Sequence, residues 1–204
     1  MINNHNYNQL NTKLKPGGKS MKRKLLALIC TASLFLTGCG KLNNPSEEYV
    51  ISCLENVDCI TDIEAATEKH DPNNQLHKKG GYTAAVYFRI EQIELTDEED
   101  KWNEGETKYY LNVDGEKTWL ILDEGEEATS PVDVGTEGGG QIEVYASASD
   151  AKKRDEYLSS FDGSMFTSGY HVVVGTMVIR TSKLLSASEQ EQLANDVIAA
   201  LKAG

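Results

Sequence analysis

The feature that most constrains this chain is a short apolar run near its N-terminus. Residues 25–36 contain no charged side chain, and they directly follow the basic residues Lys22, Arg23 and Lys24. The run is too short for a transmembrane helix, which needs about 20 apolar residues. It leads through the small residues of the sequence LTGC, at 36–39, to a cysteine. A basic start, a short apolar stretch and small residues before a cleavage point are typical of a secretory signal peptide.

The four residues at the end of this run carry a resemblance. Leu36, Thr37, Gly38 and Cys39 resemble the lipobox of bacterial lipoprotein signal peptides. The resemblance implies that Cys39 receives a diacylglyceryl group on its sulfur and becomes the N-terminus after cleavage. Two acyl chains give a stable membrane anchor, whereas one chain binds only marginally. We therefore expect a protein that is lipid-anchored to the cell membrane and faces outside the cytoplasm.

The chain divides at this signal. Residues 1–20 are polar and rich in asparagine, and Gly17, Gly18 and Lys19 correspond to purine-rich codons of the kind found just before a start codon. We interpret 1–20 as an untranslated or disordered leader, with translation starting at Met21. The expected segments are a signal peptide at 21–38, a lipidated tether at 39–46 and a single extracytoplasmic domain at 47–204.

The charge of the expected mature chain restricts its partners. Cleavage before Cys39 leaves 166 residues, which is enough for one domain with a sizeable core. No acidic residue precedes Glu47, so the mature chain keeps all 32 acidic side chains but only 14 of the 20 basic ones. Strong negative charge repels phosphate backbones. We therefore expect no nucleic-acid partner, and contact with the membrane only through the lipid on Cys39.

Periodicity predicts alternating helices and strands. Apolar residues recur at helical spacing in 49–57, in 151–161 and in 193–201, where Ser186 and Glu189 have the spacing of a capping box. Strands are predicted at 59–67, 82–90, 141–149 and 170–181, the last as one central strand. The order predicts an α+β fold with a mainly antiparallel sheet packed by three helices. A mixed sheet, in which 141–149 and 170–181 pair in parallel, is the alternative.

Residues 91–137 form an acidic block within this order. The block holds 16 acidic and 3 basic residues. Inside it, Asp114-Gly115 supplies the positive φ angles of a tight turn between two strand-like segments, so 108–122 is predicted to be a β-hairpin. We expect the block to be an insert at the edge of the domain.

The cysteines beyond the signal peptide have two interpretations. Cys30 lies in the apolar run and would be removed, while Cys53 and Cys59 would be exported to a compartment in which disulfides form. A possible disulfide would join the first helix to the next strand, although the short connection between them restricts the geometry. The alternative is two buried free thiols.

The loop 68–81 is the tentative ligand loop. It contains His70, Asp71 and His77, but their spacing matches no compact metal motif and Asp71-Pro72 is ordinary turn chemistry. The acidic runs also fail the calcium-loop pattern, and no hydrolase, zinc-protease or phosphate-loop motif occurs. We therefore predict no metal, no cofactor and no catalytic residue.

Two further stretches carry a resemblance of their own. The segments KHDPNNQLHKKGGYTAAVYF and GGGQIEVYASASDAKKRDEYL resemble parts of uncharacterised lipoproteins from Gram-positive bacteria. The resemblance implies no activity. We expect a binding or interaction module with an unknown envelope or extracellular partner. The alternative is a small extracytoplasmic enzyme without a known motif, and 166 residues are too few for a two-lobed solute-binding protein.

Overall fold

The computed structural model describes residues 42–99, 107–122, 127–163 and 169–204. The lipobox and Cys39 lie outside the described residues. The helices are α1 (Glu47–Leu54), α2 (Pro131–Val134), α3 (Ala148–Ser159) and α4 (Ala187–Ala203). The strands are β1 (Ile60–Ala65), β2 (Ala84–Ile90), β3 (Glu94–Glu99), β4 (Thr107–Val113), β5 (Glu116–Leu120), β6 (Gly139–Val144), β7 (His171–Val174) and β8 (Met177–Thr181).

Five strands form the main sheet, in the order β1-β2-β6-β8-β7, and every neighbouring pair is antiparallel. The α+β class and the antiparallel sheet are therefore confirmed, and the parallel alternative is wrong. The single long strand predicted at 170–181 is also wrong. Gly175, with φ of 63°, turns the chain so that β7 and β8 form a hairpin. The apolar side chains on both sides of this turn concealed it in the sequence.

The acidic block forms a second, three-stranded sheet in the order β3-β4-β5. The predicted hairpin is present, with Asp114 at φ 50° and Gly115 at φ 86° in its turn. One side of this sheet packs on the main core through Leu111, which is 2% exposed. Trp119 lies on the opposite side, 58% exposed, because its cross-strand partner is Tyr110. The block is thus a separate sheet that also contributes to the core.

The described residues contain four α-helices, so the predicted number of three is wrong. The additional helix is the short α2, where Ser130 and Asp133 cap the first turn reciprocally. The predicted capping box at the start of α4 is confirmed, since Ser186 and Glu189 each bond the other's backbone N–H. Within the part of the chain that the structure describes, no helix is both long and apolar enough to cross a bilayer.

The main sheet separates two different layers. Its apolar face carries Phe88, Ile142 and Ile179 and packs with α1, α4 and the three-stranded sheet in one large cluster. Its polar face carries Tyr87, Gln141 and Arg180 and is covered by α2 and α3. Side chains alternate along each strand, so neighbouring residues of one strand belong to different layers.

The segment that precedes α1 is fixed to one end of the main sheet. The carbonyl of Leu42 accepts a hydrogen bond from Thr176 N at 3.1 Å, and Asn44 N donates to Thr176 Oγ1 at 2.6 Å. Asn44 Oδ1 in turn accepts from Thr83 Oγ1 at 2.7 Å. These bonds join the start of the described chain to the β7–β8 turn and to the start of β2.

Candidate ligand-binding cleft

A row of polar side chains crosses the polar face of the main sheet. Glu64, Tyr87, Gln141, Arg180 and His171 lie opposite one another on the five strands in their spatial order. Residues directly opposite in an antiparallel sheet point to the same side and interact. The register therefore gathers one polar group from every strand into a single layer beneath α2 and α3.

Glu143 is the fully buried carboxylate of this layer, at 0% exposure. Arg154 of α3 binds it in a bidentate manner, with Nε at 2.9 Å and Nη2 at 2.8 Å from its two oxygens. Tyr145 donates its hydroxyl at 2.8 Å, and Arg180 Nη1 approaches at 3.4 Å. A buried carboxylate needs such partners, because burying an unpaired charge is costly. Glu143 thereby fixes the position of Arg154.

Burial and the charge of Glu143 oppose each other in their effect on the pKa of Arg154 but act together on that of Tyr145. Burial alone would lower the pKa of Arg154, but its hydrogen bonds to Glu143 and the charge of that carboxylate outweigh this effect and raise the pKa. Burial and the adjacent charge of Glu143 both raise the pKa of Tyr145. At neutral pH the guanidinium is therefore charged and the phenol is neutral, which suits the hydrogen bonds they make.

Asp71 organises the loop that faces α3. Its carboxylate accepts hydrogen bonds from the backbone N–H groups of Asn73 (3.1 Å), Gln75 (2.6 Å) and Leu76 (2.8 Å), and from the hydroxyl of Tyr82. Burial would raise the pKa of Asp71, but these hydrogen bonds hold it below its usual value. Carboxylates that fold a loop around themselves in this way are typical of Asx turns. Asp71 is therefore a structural residue of the loop.

A cleft of about 400 Å³ lies between this loop and α3. Its floor is formed by Tyr82 and Tyr145, whose rings meet edge to face with centroids 6.2 Å apart. The cleft is lined by Asn73, Gln75, Gly80, Gly81, Tyr82, Tyr145, Asp150, Lys153, Arg154 and Tyr157. Its volume falls within the roughly 300–1,000 Å³ of ligand pockets. It is the feature of the described residues in which aromatic, amide and charged groups converge on one concave surface.

The charged side chains that line the cleft are paired with one another or with the layer below. Lys153 Nζ lies 2.8 Å from Asp150 Oδ1, and Arg154 is held by Glu143. The hydrogen bonds from Lys153 and Ser147 lower the pKa of Asp150. Asp150 is therefore ionised at neutral pH. The cleft presents hydrogen-bonding groups but no unpaired charge among its lining residues.

Tyr157 forms the exposed rim of the cleft. Its side chain is 55% exposed, although it belongs to the apolar helical pattern predicted over 151–161. The guanidinium of Arg154 lies 5.4 Å from its ring centroid, and Phe161 meets it edge to face at 5.1 Å. These two contacts favour the orientation in which the ring borders the cleft.

The residues of the tentative ligand loop point in different directions. His70 Nε2 pairs with Asp133 at 2.8 Å, and His77 Nδ1 pairs with Glu68 at 2.9 Å. The hydrogen bond to Glu68 raises the pKa of His77. No group of three or more potential metal ligands occurs among the described residues. The loop does reach the cleft, but through Asn73, Gln75, Gly80 and Gly81.

The two cysteines of the expected domain lie away from the cleft. Cys53 is buried on α1 and Cys59 is half-buried before β1, both as free thiols. Burial raises the pKa of Cys59. A raised pKa disfavours the reactive thiolate at neutral pH. The disulfide between these residues stays a prediction.

The sequence did not predict the buried ion pair between Glu143 and Arg154. Gln141 and Glu143 alternate with the apolar Ile142 and Val144, a pattern that predicts a solvent-facing side of a strand. In the structure α3 covers that side, and its residue Arg154 forms an ion pair with Glu143. The one available signal was the coincidence of a charged strand position with a basic position on the following helix.

No family model, curated protein or solved structure matches this chain.

Proposed function

We propose that this chain is a lipid-anchored binding module of the cell envelope, displayed outside the cytoplasm. Diacylglyceryl on Cys39 would hold it to the membrane, and the cleft would bind an envelope or extracellular ligand. The signal-peptide pattern of 21–39 supports the location. The excess of acidic residues disfavours nucleic acid as the ligand.

The observation that carries the binding role is the pre-arrangement of the cleft. Glu143 holds Arg154 from below, and Asp71 holds the facing loop through four hydrogen bonds. Walls that are already ordered lose little conformational entropy when a ligand binds, so more of the contact energy appears as affinity. Rigid side chains supported by a second layer are typical of binding sites.

The pKa shifts favour binding over the enzyme alternative. A general acid or base works best when its pKa lies near the operating pH. The pKa values of Asp71 and Asp150 are lowered, and burial raises those of Tyr82 and Tyr145. All four shifts move away from neutral pH. These groups suit fixed hydrogen bonds and not proton transfer.

Photo-crosslinking on intact cells tests the cleft. The full chain would carry p-benzoylphenylalanine in place of Gln75, which lines the cleft, or in place of Lys152, which is 73% exposed on α3 outside it. We expect specific adducts from position 75, identified by mass spectrometry, and none from position 152. Identical adducts from both positions, or none from either, would contradict a ligand site in the cleft.

Labelling with radioactive palmitate tests the anchor. Cys39→Ala should abolish incorporation of the label and release the protein from the membrane fraction, because Cys39 is the proposed lipid site. Cys30→Ala is the matched control, since it changes a cysteine that would be removed with the signal peptide. Continued labelling of the Cys39→Ala chain would refute the lipid anchor.

A further inference from the structure

We infer that the cleft binds a saccharide, an uncharged ring compound with polar edges and C–H faces. The inference rests on the proposed function, because it names the ligand class of the same cleft. It follows from three features that lie side by side: the exposed ring of Tyr157, the paired charges on α3 and the amide groups of the loop 73–81.

The first feature is an aromatic platform. Tyr157 is 55% exposed, and its ring is contacted by Arg154 and Phe161. Among the exposed large hydrophobic side chains of the described residues, Tyr157 is the one that lines this cleft. A sugar ring presents C–H groups on its faces, and these pack against the negative face of an aromatic ring. Tyr157 thus provides the flat apolar contact that a saccharide needs.

The second feature is the absence of unpaired charge on the lining. Lys153 pairs with Asp150 at 2.8 Å on the exposed surface of α3, and Arg154 pairs with the buried Glu143. An anionic ligand would compete with Glu143 for Arg154, at an energetic penalty because that carboxylate is buried. A neutral ligand avoids that penalty. Charged groups that are already paired still offer their remaining donor and acceptor positions to hydroxyl groups.

The third feature is a polar edge opposite the platform. Asn73 and Gln75 each contribute a planar amide, which carries both donors and an acceptor, as a sugar hydroxyl does. The Asn73 amide is oriented by its hydrogen bond to the hydroxyl of Tyr87 at 3.0 Å. Gly81 lies so near the carbonyl of Gln75 that a Cβ on it would come within 2.0 Å of that oxygen. The close turn brings this edge of the loop to the cleft.

The size of the cleft agrees with this ligand class. A volume of about 400 Å³ lies at the lower end of the roughly 300–1,000 Å³ of small-molecule sites. A site of this size suits about one or two sugar rings, with the rest of a longer glycan extending outside. The site would therefore recognise a short part of a glycan.

A glycan array probed with the full chain tests the inference. The protein is kept in a detergent without a sugar headgroup, because such a headgroup would itself compete for the cleft. The array carries neutral, N-acetylated, acidic and basic saccharides, and cell-wall sacculi serve as a separate insoluble probe. We expect binding to neutral or N-acetylated saccharides. Tyr157→Ala should weaken that binding about tenfold, the size of a lost aromatic contact.

Two variants separate the platform from general damage to the protein. Tyr157→Phe keeps the ring and should bind as the unchanged chain does, whereas Trp119→Ala removes an exposed aromatic residue on the other sheet and should have no effect. Binding to acidic saccharides alone, equal binding by Tyr157→Ala, or no binding to any saccharide would each overturn the inference. If the array fails while position 75 still forms specific adducts on cells, the ligand class is wrong and the binding module stands. If both fail, the proposed function fails with it.

Discussion

The two faces of the main sheet are built from the same strands but obey different rules. Phe88, Ile142 and Ile179 on the apolar face are fully buried and packed against helices and the second sheet. Their immediate neighbours in sequence, Tyr87, Gln141 and Arg180, form the polar face. The apolar face is held by contact area, which has no preferred direction. The polar face adds hydrogen bonds, which do have a preferred direction, to a smaller apolar cluster that includes Tyr87, Leu158 and Val178.

The difference indicates that one face of the sheet mainly stabilises the fold, while the other mainly positions the residues of the cleft. Two buried donors of the polar face, Gln141 Nε2 and Arg180 Nε, have no hydrogen-bond partner among the described residues. Each such group destabilises the fold by about 1–3 kcal/mol, so an apolar layer in the same place would be more stable. The polar layer instead fixes Arg154 and Tyr145 beneath the cleft. We therefore expect the apolar face to determine whether the chain folds and the polar face to determine what the cleft binds.

The largest loss of stability should come from the apolar face. Phe88 is 0% exposed and its ring lies over Gly140, where an added Cβ would come within 2.4 Å of it. Phe88→Ala should lower the free energy of unfolding by about 3–5 kcal/mol, because it leaves a cavity in a packed core. Urea denaturation measures this, with Phe88→Leu as the milder control. A loss below that of a typical surface substitution would show that this face does not carry the fold.

A somewhat smaller loss should come from the buried carboxylate. Glu143→Gln leaves Arg154 and Arg180 without their anion, and should lower the free energy of unfolding by about 3 kcal/mol. This value lies at the low end of the roughly 3–5 kcal/mol for breaking a buried ion pair. The reason is that both guanidiniums can still reach solvent, with the Arg154 and Arg180 side chains 19% and 13% exposed. Glu156→Gln on the exposed side of α3 is the matched control and should change little. Equal effects of the two substitutions would refute the structural role of Glu143.

A double-mutant cycle sharpens this prediction. Glu143→Gln combined with Arg154→Met should be less destabilised than the sum of the two single variants, because the second substitution removes the charge that the first leaves unpaired. Additive losses would mean that Glu143 and Arg154 contribute independently.

Asp71 should show a smaller effect that depends on pH. Asp71→Asn should cost about 1 kcal/mol at neutral pH, as the loss of a capping carboxylate does. The pKa of Asp71 is lowered in the folded chain. Its contribution is therefore fully present above the unfolded-state pKa of about 3.9, and it is lost as the pH falls through the folded value. Denaturation at pH 7 and pH 3 should show a difference between the two proteins that narrows in acid. A constant difference would contradict the assigned hydrogen bonds.

The smallest effect on stability should come from Tyr157. Its ring is mostly exposed, so Tyr157→Ala should change the free energy of unfolding by about 0.5 kcal/mol, the value of its contact with Arg154. Thermal denaturation checks this result. A large loss of stability would mean that Tyr157 supports the fold. The weaker saccharide binding of Tyr157→Ala could then be interpreted only by comparison with Tyr157→Phe.

The sequence predicted the features that are encoded locally. Asp114-Gly115 specified the hairpin turn, and the spacing of Ser186 and Glu189 specified the start of α4. Both signals work because the residues that form the structure are within a few positions of one another. The alternation of Ile142 and Val144 likewise placed β6 in a sheet and gave its buried side.

The features that the sequence did not predict depend on distant parts of the chain. Whether Glu143 faces water or a helix is decided by where α3 packs, and the alternating pattern is the same in both cases. The Gly175 turn was hidden because the residues on both sides of it are apolar, as in a continuous buried strand. The cleft itself combines a loop and a helix more than sixty positions apart in the sequence.

The hydrogen bonds of Leu42 and Asn44 have a consequence for how such a protein would work at a membrane. If Cys39 carries the lipid, only two residues, Gly40 and Lys41, separate it from Leu42, which is already bonded to Thr176. The three backbone steps from Cys39 to Leu42 span at most about 10–11 Å, so the domain would stand directly on the bilayer surface with little freedom to swing away. Thr83, which bonds Asn44, is adjacent to Tyr82 in the floor of the cleft. The cleft would then sample only the first layer of the envelope above the lipid headgroups, and glycans further out would have to reach down to it.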